Sequence, residues 1–223
     1  MPEKFDRELS SLQSKLLTMG KLAESMFQDA LGALKERDAS LIKNVLAKED
    51  QVDQLQVEID DEAIRSMATF APVATELRFL LMVTRINLEL ERIGDQAVNM
   101  CEEVQLLLSE PELKPLADLA RMADIASRRL HQSLEAFTDK STEKAMEVIR
   151  ADDEVDALNH QIFRELLTYM VSDPKNVTRS VALILLTRSL ERIADHATNI
   201  AEEVIYMIQG KDIRHQGQEE KTS

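Results

Sequence analysis

The sequence predicts an all-α protein: two tandem, pseudo-symmetric three-helix bundles made from six long helices. Three observations carry this expectation. Gly and Pro number only five each in 223 residues; because these residues punctuate turns, the segments between them must be long. Within those segments apolar residues recur at helical spacing rather than alternating. And one stretch occurs twice. Glu91-Arg92-Ile93-Gly94-Asp95-Gln96-Ala97-Val98-Asn99-Met100-Cys101-Glu102-Glu103-Val104 returns one hundred positions later as Glu191-Arg192-Ile193-Ala194-Asp195-His196-Ala197-Thr198-Asn199-Ile200-Ala201-Glu202-Glu203-Val204.

The elements follow in order. Leu9, Leu12, Leu16, Met19, Met26, Ala30 and Leu34 mark a first helix of about 30 residues. Arg37-Asp38-Ala39 turns the chain, and a second helix runs from about Ser40 to Met67. Pro72 ends it, lacking an amide hydrogen and restricting the residue before it. A third helix runs from about Val73 to Leu108, and Ser109 to Pro115, with two prolines, forms a linker. The pattern then repeats with helices from about Leu116 to Phe137, Thr142 to Val171 and Val177 to Gln209. Asp173-Pro174 breaks the chain before the last of these, and Gly210 stands as its C-terminal cap. The second helices align at an offset of 103, with Glu49 to Leu55 lying over Asp152 to Leu158. The expected organisation is therefore 1–108 as a first repeat, 109–115 as a linker, 116–210 as a second repeat and 211–223 as a polar, disordered tail. Three amphipathic helices joined by short turns bury their stripes most simply as an up-down-up bundle.

A formal net charge of −14 repels phosphate backbones and anionic lipid, so nucleic acid is not an expected partner; cations and basic protein surfaces are. No apolar run approaches the ~20 residues that span a bilayer, and no signal peptide is visible. Membrane insertion is not expected, and the location expected is cytoplasmic. Cys101 is the single cysteine, which rules out an intrachain disulfide. Its mate Ala201 marks the position as a small buried one.

The acidic positions of the repeat bear most directly on function. On a wheel of about 100° per residue, Asp195, Asn199 and Glu202 fall within roughly 80° of Glu191, opposite the apolar face. Glu91, Asp95, Asn99 and Glu102 do the same in the first copy. A solvent-facing helix gains about 0.2–0.5 kcal/mol by setting Glu four residues before Lys or Arg. Here Glu precedes Asp, in both copies, and the second helices repeat the spacing with Glu49 and Asp53, and Asp152 and Asp156. Each half thus offers two carboxylate pairs on helices able to lie ~8–10 Å apart. Such a constellation is either a solvated face or a seat for divalent or trivalent cations: Mg, Ca, Mn, Fe or Zn, between which spacing does not choose. Glu49, Asp53, Glu91, Asp95, Asp152, Asp156, Glu191 and Asp195 are the candidate ligands; Asn99, Asn199, Glu102 and Glu202 are further candidates. Arg92 and Arg192 read as surface ion-pair partners, and His196, opposite Gln96, as an exposed histidine. There is no Gly-rich phosphate loop, no Glu-x-x-His pair and no nucleophile with a base.

These residues carry a resemblance. Leu90-Glu91-Arg92-Ile93-Gly94-Asp95 with Asn99, the second copy from Leu190 to Val204, Phe5-Asp6-Arg7-Glu8-Leu9 and Glu76-Leu77-Arg78 resemble the PhoU family over nearly the whole chain. The resemblance implies a repeated Glu/Asp-x-x-x-Asp motif that holds metal ions, falling on the eight carboxylates above. It also implies a non-enzymatic cytoplasmic regulator that restrains the phosphate-starvation response. The implied partners are the ATPase subunit of the phosphate-specific ABC transporter, the sensor histidine kinase of the phosphate response and a second copy of the chain. Two departures stand out: Gly94 becomes Ala194, and Glu76-Leu77-Arg78 faces only Val177-Thr178-Arg179. The rival readings are a metal-dependent enzyme built on the same carboxylates, and a helical scaffold without metal.

Overall fold

The computed structural model describes residues 2–113, 117–150 and 153–213. Every long element among them is an α-helix. In the first half α1 spans Pro2–Glu36, α2 Ser40–Phe70 and α3 Ala74–Leu108. In the second half α4 spans Ala117–Asp139, α5 Thr142–Arg150, α6 Asp153–Ser172 and α7 Val177–Gln209, with a 3-10 turn over Pro174–Asn176. The helix expected from Thr142 to Val171 is thus two described segments, α5 and α6, on either side of residues 151 and 152. Four other expectations fall wholly or partly outside the described residues: Lys114 and Pro115 of the linker, Leu116 at the start of the second repeat, residues 214–223 of the tail, and Asp152.

The turns are repeated as well as the helices. Arg37 (φ 53°) and Lys140 (φ 48°) both adopt the left-handed conformation, at the same offset of 103. Behind them, Asp38 N–H donates to the Ala33 carbonyl (3.2 Å) and Ser141 N–H to that of Ala136 (3.0 Å). These long-reach bonds satisfy helix-end carbonyls that would otherwise lack a partner. Asp38 Oδ1 then accepts from the Ser40 amide (2.8 Å) and starts α2. Ala71, at φ 45°, closes α2 with its N–H on the Met67 carbonyl, and Pro72 prevents continuation. Asp173 caps the 3-10 turn by accepting from Lys175 N–H (2.9 Å). Gly210, at φ 67°, ends α7 with its N–H on the Tyr206 carbonyl (2.8 Å). The positive φ favours glycine there, and a Cβ at 210 would also have to displace the mobile end of the Arg78 side chain.

α1, α2 and α3 pack on one another, and α4, α5 and α6 pack with α7. The broadest contact joins the halves: α3 lies along α7, with α1 on α4 beside it. Arg85 meets Glu203, and Glu89 meets His196 and Asn199, so the two helices run antiparallel. Ile86, Leu90, Ile93, Ala97 and Met100 are fully buried, as are their mates Leu186, Leu190, Ile193, Ala197 and Ile200. At ~1.5–3 kcal/mol for each large apolar side chain taken from water, this seam is the strongest single element of the core. Gly20 lets α1 approach α4, since a Cβ there would stand 2.8 Å from Leu134 Cδ2. Positions 91–98 and 191–198 show the same order of burial, residue for residue.

Gly94 makes a sharp test of the helical frame. A Cβ built on it would meet Met26 Cε at 3.5 Å and Val52 Cγ1 at 3.6 Å, which are ordinary contacts, and its mate is already Ala194. Glycine inside a helix costs ~0.8–1 kcal/mol relative to alanine. Gly94→Ala should therefore raise the thermal midpoint by about 2–4 °C. A fall in the melting curve would show that the packing around Met26 is tighter than described.

Candidate metal centre

The first-half carboxylates lie along facing flanks of α2 and α3. Val52 and Ile59 anchor α2 in the core, and Leu90, Ile93 and Ala97 anchor α3. That leaves Glu49 and Glu91 half-buried, and Asp53 and Asp95 exposed, along neighbouring flanks of the two helices. Glu49, Glu91 and Asp95 each feel neighbouring carboxylates. The Glu49 carboxyl titrates above its usual range through burial first, then through Asp53, Asp95 and Asp50. Burial followed by Asp95 and Asp53 raises Glu91, against the charges of Arg92 and His196. Burial and Asp53 raise Asp95, with His196 opposing. Among the described residues none of the four accepts a hydrogen bond from a lysine or arginine. The donors are all carboxylate oxygens, which suits hard cations. No three His, Cys, Asp or Glu side chains among the described residues converge as a ready-made coordination sphere. The fit to a cation is thus one of charge and oxygen chemistry, with side chains free to close on it.

The second half is built differently. Asp152 lies outside the described residues; Asp156 and Asp195 are exposed. Glu191 already accepts a short bond from Asn159 Nδ2 (2.6 Å). Its carboxyl is raised by burial and Asp156, with His160, Arg188 and Arg192 opposing. Beneath it, Arg129 is only 2% exposed and donates through Nη2 to Thr198 Oγ1 (2.9 Å) and the Val148 carbonyl (3.4 Å). Met26 holds the matching position in the first half, so the second half has a buried guanidinium where the first has a thioether.

The further candidates lie elsewhere. Asn199 Nδ2 donates to Glu89 Oε2 (3.1 Å) across the seam. Asn99 and Glu102 line a separate cleft with Arg188 and Arg192. Glu202 is half-buried on α7. His196 departs from expectation: its side chain is 13% exposed and its Nδ1 lies 2.7 Å from Glu89 Oε2. Burial alone would raise the Glu89 carboxyl, but hydrogen bonds from His196 and Asn199 hold it below the usual range, helped by the charges of His196 and Arg92. Arg92 does meet a carboxylate, Glu89 at 3.8 Å. The Arg85–Glu203 ion pair (3.2 Å), with Glu203 8% exposed, ties α3 to α7. Repeat logic missed Glu89 and Arg85 because neither is repeated: their mates are Ser189 and Leu185. Cys101 is buried, and burial first, then Asp29 and Glu49, pushes its thiol up to about 12. It is an inert core residue.

A tandem repeat of three-helix units with acidic flanks at equivalent positions defines a class of doubled, all-α bundle proteins. No helix among the described residues is long and apolar enough to cross a membrane. The chain belongs to the PhoU family: the family model for the PhoU domain matches it twice, over residues 16–104 and 119–204. A phosphate-specific transport system accessory protein PhoU homolog of Pseudomonas putida is 35% identical over 222 residues, covering 99% of this chain and 87% of that protein. The homolog of the same name from Aquifex aeolicus is 38% identical and covers 98% of this chain and 99% of its own. Among solved structures, PhoU from Pseudomonas aeruginosa superposes with a TM-score of 0.90 at 36% identity, covering 93% of this chain and 100% of that one. The phosphate transport system regulatory protein PhoU of Streptococcus pneumoniae gives 0.86 at 26% identity, over 94% and 99%.

The raised carboxyls set a pH test. Glu49, Glu91 and Asp95 hold protons more readily folded than unfolded, so their contribution to stability is full below the ordinary carboxylate range, about pH 4, and is lost as pH rises through the raised values. In chelator at neutral pH, Asp95→Asn should therefore melt about 1–2 °C higher than the native chain. That advantage should vanish on acidification. If the flank holds a hard cation, saturating Mn or Mg reverses the order: ~100 times the Kd adds about 2.7 kcal/mol, or about 5–10 °C, to the native chain and much less to the variant. Melting curves with and without metal read both effects.

Proposed function

We propose that this chain is a cytoplasmic regulator of phosphate uptake and of the phosphate-starvation response. It acts as a non-catalytic adaptor between the ATPase subunit of the phosphate-specific ABC transporter and the sensor histidine kinase, and works as a homodimer. Similarity over both halves to proteins named as phosphate-transport accessory and regulatory proteins carries this reading. Its two units are the repeats 1–108 and 116–210, joined by 109–115.

Metal ions are the proposed cofactor, held by Glu49, Asp53, Glu91 and Asp95 in the first half and by Asp152, Asp156, Glu191 and Asp195 in the second. A bound cation supplies charge neutralisation that ties α2 to α3 and α6 to α7. The carboxylates themselves relax their repulsion around it and stiffen both flanks into one surface. The net charge of −14 favours basic patches on the partners, and association should weaken as salt rises to physiological strength, where the Debye length is about 8 Å.

A reporter of the phosphate response in a deletion strain tests the role. Loss of the gene should switch the response on in phosphate-rich medium, and the native chain should restore repression. Normal repression in the deletion strain would remove the regulatory reading. Full complementation by the Asp95→Asn, Asp195→Asn double variant would keep the regulator and remove metal from its mechanism.

A further inference from the structure

The seam between α3 and α7 is nearly two-fold symmetric, and the symmetry fails at one pair of positions. On one side Glu89 reaches across and is met by His196 at 2.7 Å, by Asn199 at 3.1 Å and by Arg92 at 3.8 Å. One hundred positions on, its mate is Ser189, and the mates of its partners are Gln96, Asn99 and Arg192. The serine is too short to take the place of the carboxylate. The space is a cleft of about 380 Å³ lined by those four residues, with Arg188 added where the other side has Leu88. Ser189 is 7% exposed, and its hydroxyl makes no hydrogen bond among the described residues. Neither Arg188 nor Arg192 forms an ion pair or a hydrogen bond among the described residues.

We propose that this cleft binds a small oxyanion, orthophosphate or a carboxylate, in the position that the Glu89 carboxylate fills on the opposite side of the seam. The protein itself displays the complex: a carboxylate between an amide, a ring nitrogen and a guanidinium. The second cleft keeps the amide and the guanidinium, replaces the ring by the Gln96 amide and gains a second guanidinium. Guanidinium forks and amide N–H groups are the donors that planar and tetrahedral oxyanions accept from. Glu102 and Glu103 line the cleft too. Arg188 and Arg192 stand with Ser189 in the lining, and the oxyanion would sit at their end of the cleft. Arg188 and Arg192 also face the charge of Glu191 on the neighbouring flank, so the test is made in chelator; the site does not rest on the regulatory reading, and its failure would leave that reading untouched.

The test is an NMR titration of the chelator-treated full chain with sodium orthophosphate at constant ionic strength, repeated with sulfate and acetate. The side-chain amides of Gln96 and Asn99 should shift saturably. Ser189→Glu, which installs the missing carboxylate, should abolish the shift and leave the fold intact by circular dichroism. Arg188→Gln with Arg192→Gln, both at exposed positions, should weaken binding by about tenfold or more. This second variant keeps the test decisive if the first misfolds. Arg92→Gln, on the side already filled by Glu89, should change affinity little. Saturation by acetate but not by phosphate would assign the site to a carboxylate, such as an acidic side chain of a partner. No saturable shift with any of the three anions, or a shift that survives in Ser189→Glu, would overturn the proposal.

Discussion

The antiparallel seam of α3 on α7 is the constraint from which the rest of the molecule follows. Each of these helices must serve two cores, its own bundle and the junction with the other half. Ile86, Leu90, Ile93 and Ala97 with their mates are fully buried for that reason. Once two arcs of a helix surface are taken up this way, only one narrow arc remains for solvent. That arc carries Glu91 and Asp95 on α3, and Glu191 and Asp195 on α7. The packing of α2 beside α3 then brings Glu49 and Asp53 within electrostatic reach.

The carboxylate flanks break a local rule. Like charges four residues apart oppose helix formation by a few tenths of a kcal/mol each, and half-burying Glu49 and Glu91 adds a desolvation penalty. A helix selected for stability alone would place lysine there. Glu191, against Arg188, Arg192 and His160, shows how the same position is relieved when positive groups stand nearby. The first half has weaker internal relief, and its charge is the more available to an external cation.

The departures from symmetry divide the labour between the halves. Arg129, buried against Thr198, stands where the first half has Met26, and Asn159 engages Glu191 directly. Across the seam, Arg85–Glu203 and Glu89–His196 are pairs made once, while Leu185 with Glu103 and Ser189 with Gln96 are the same positions without them. A duplicated fold keeps its apolar register because every misplaced side chain costs packing throughout the core. Its polar contacts are free to diverge, since each is a local bargain between a few groups.

The sequence by itself determined the class of fold, the helix starts and stops, and the register of the acidic flanks. Ser40, Pro72, Gly210 and the apolar spacing of α1, α3 and α7 were all legible because propensity, capping and periodicity act within a few residues. The paired carboxylates were legible because a helix converts sequence spacing directly into a face. Only the tertiary structure decided what those faces meet. That His196 is held by Glu89, that Asn199 serves the seam, and that Asn99 and Glu102 open onto Arg188 and Arg192 depends on which helix lies across from which, and in what register. Antiparallel packing pairs residues more than one hundred positions apart, and no local pattern encodes that pairing. The repeat could show which positions are alike; it could not show that Glu89 and Ser189, alike in place and different in chemistry, would make one filled cleft and one open one.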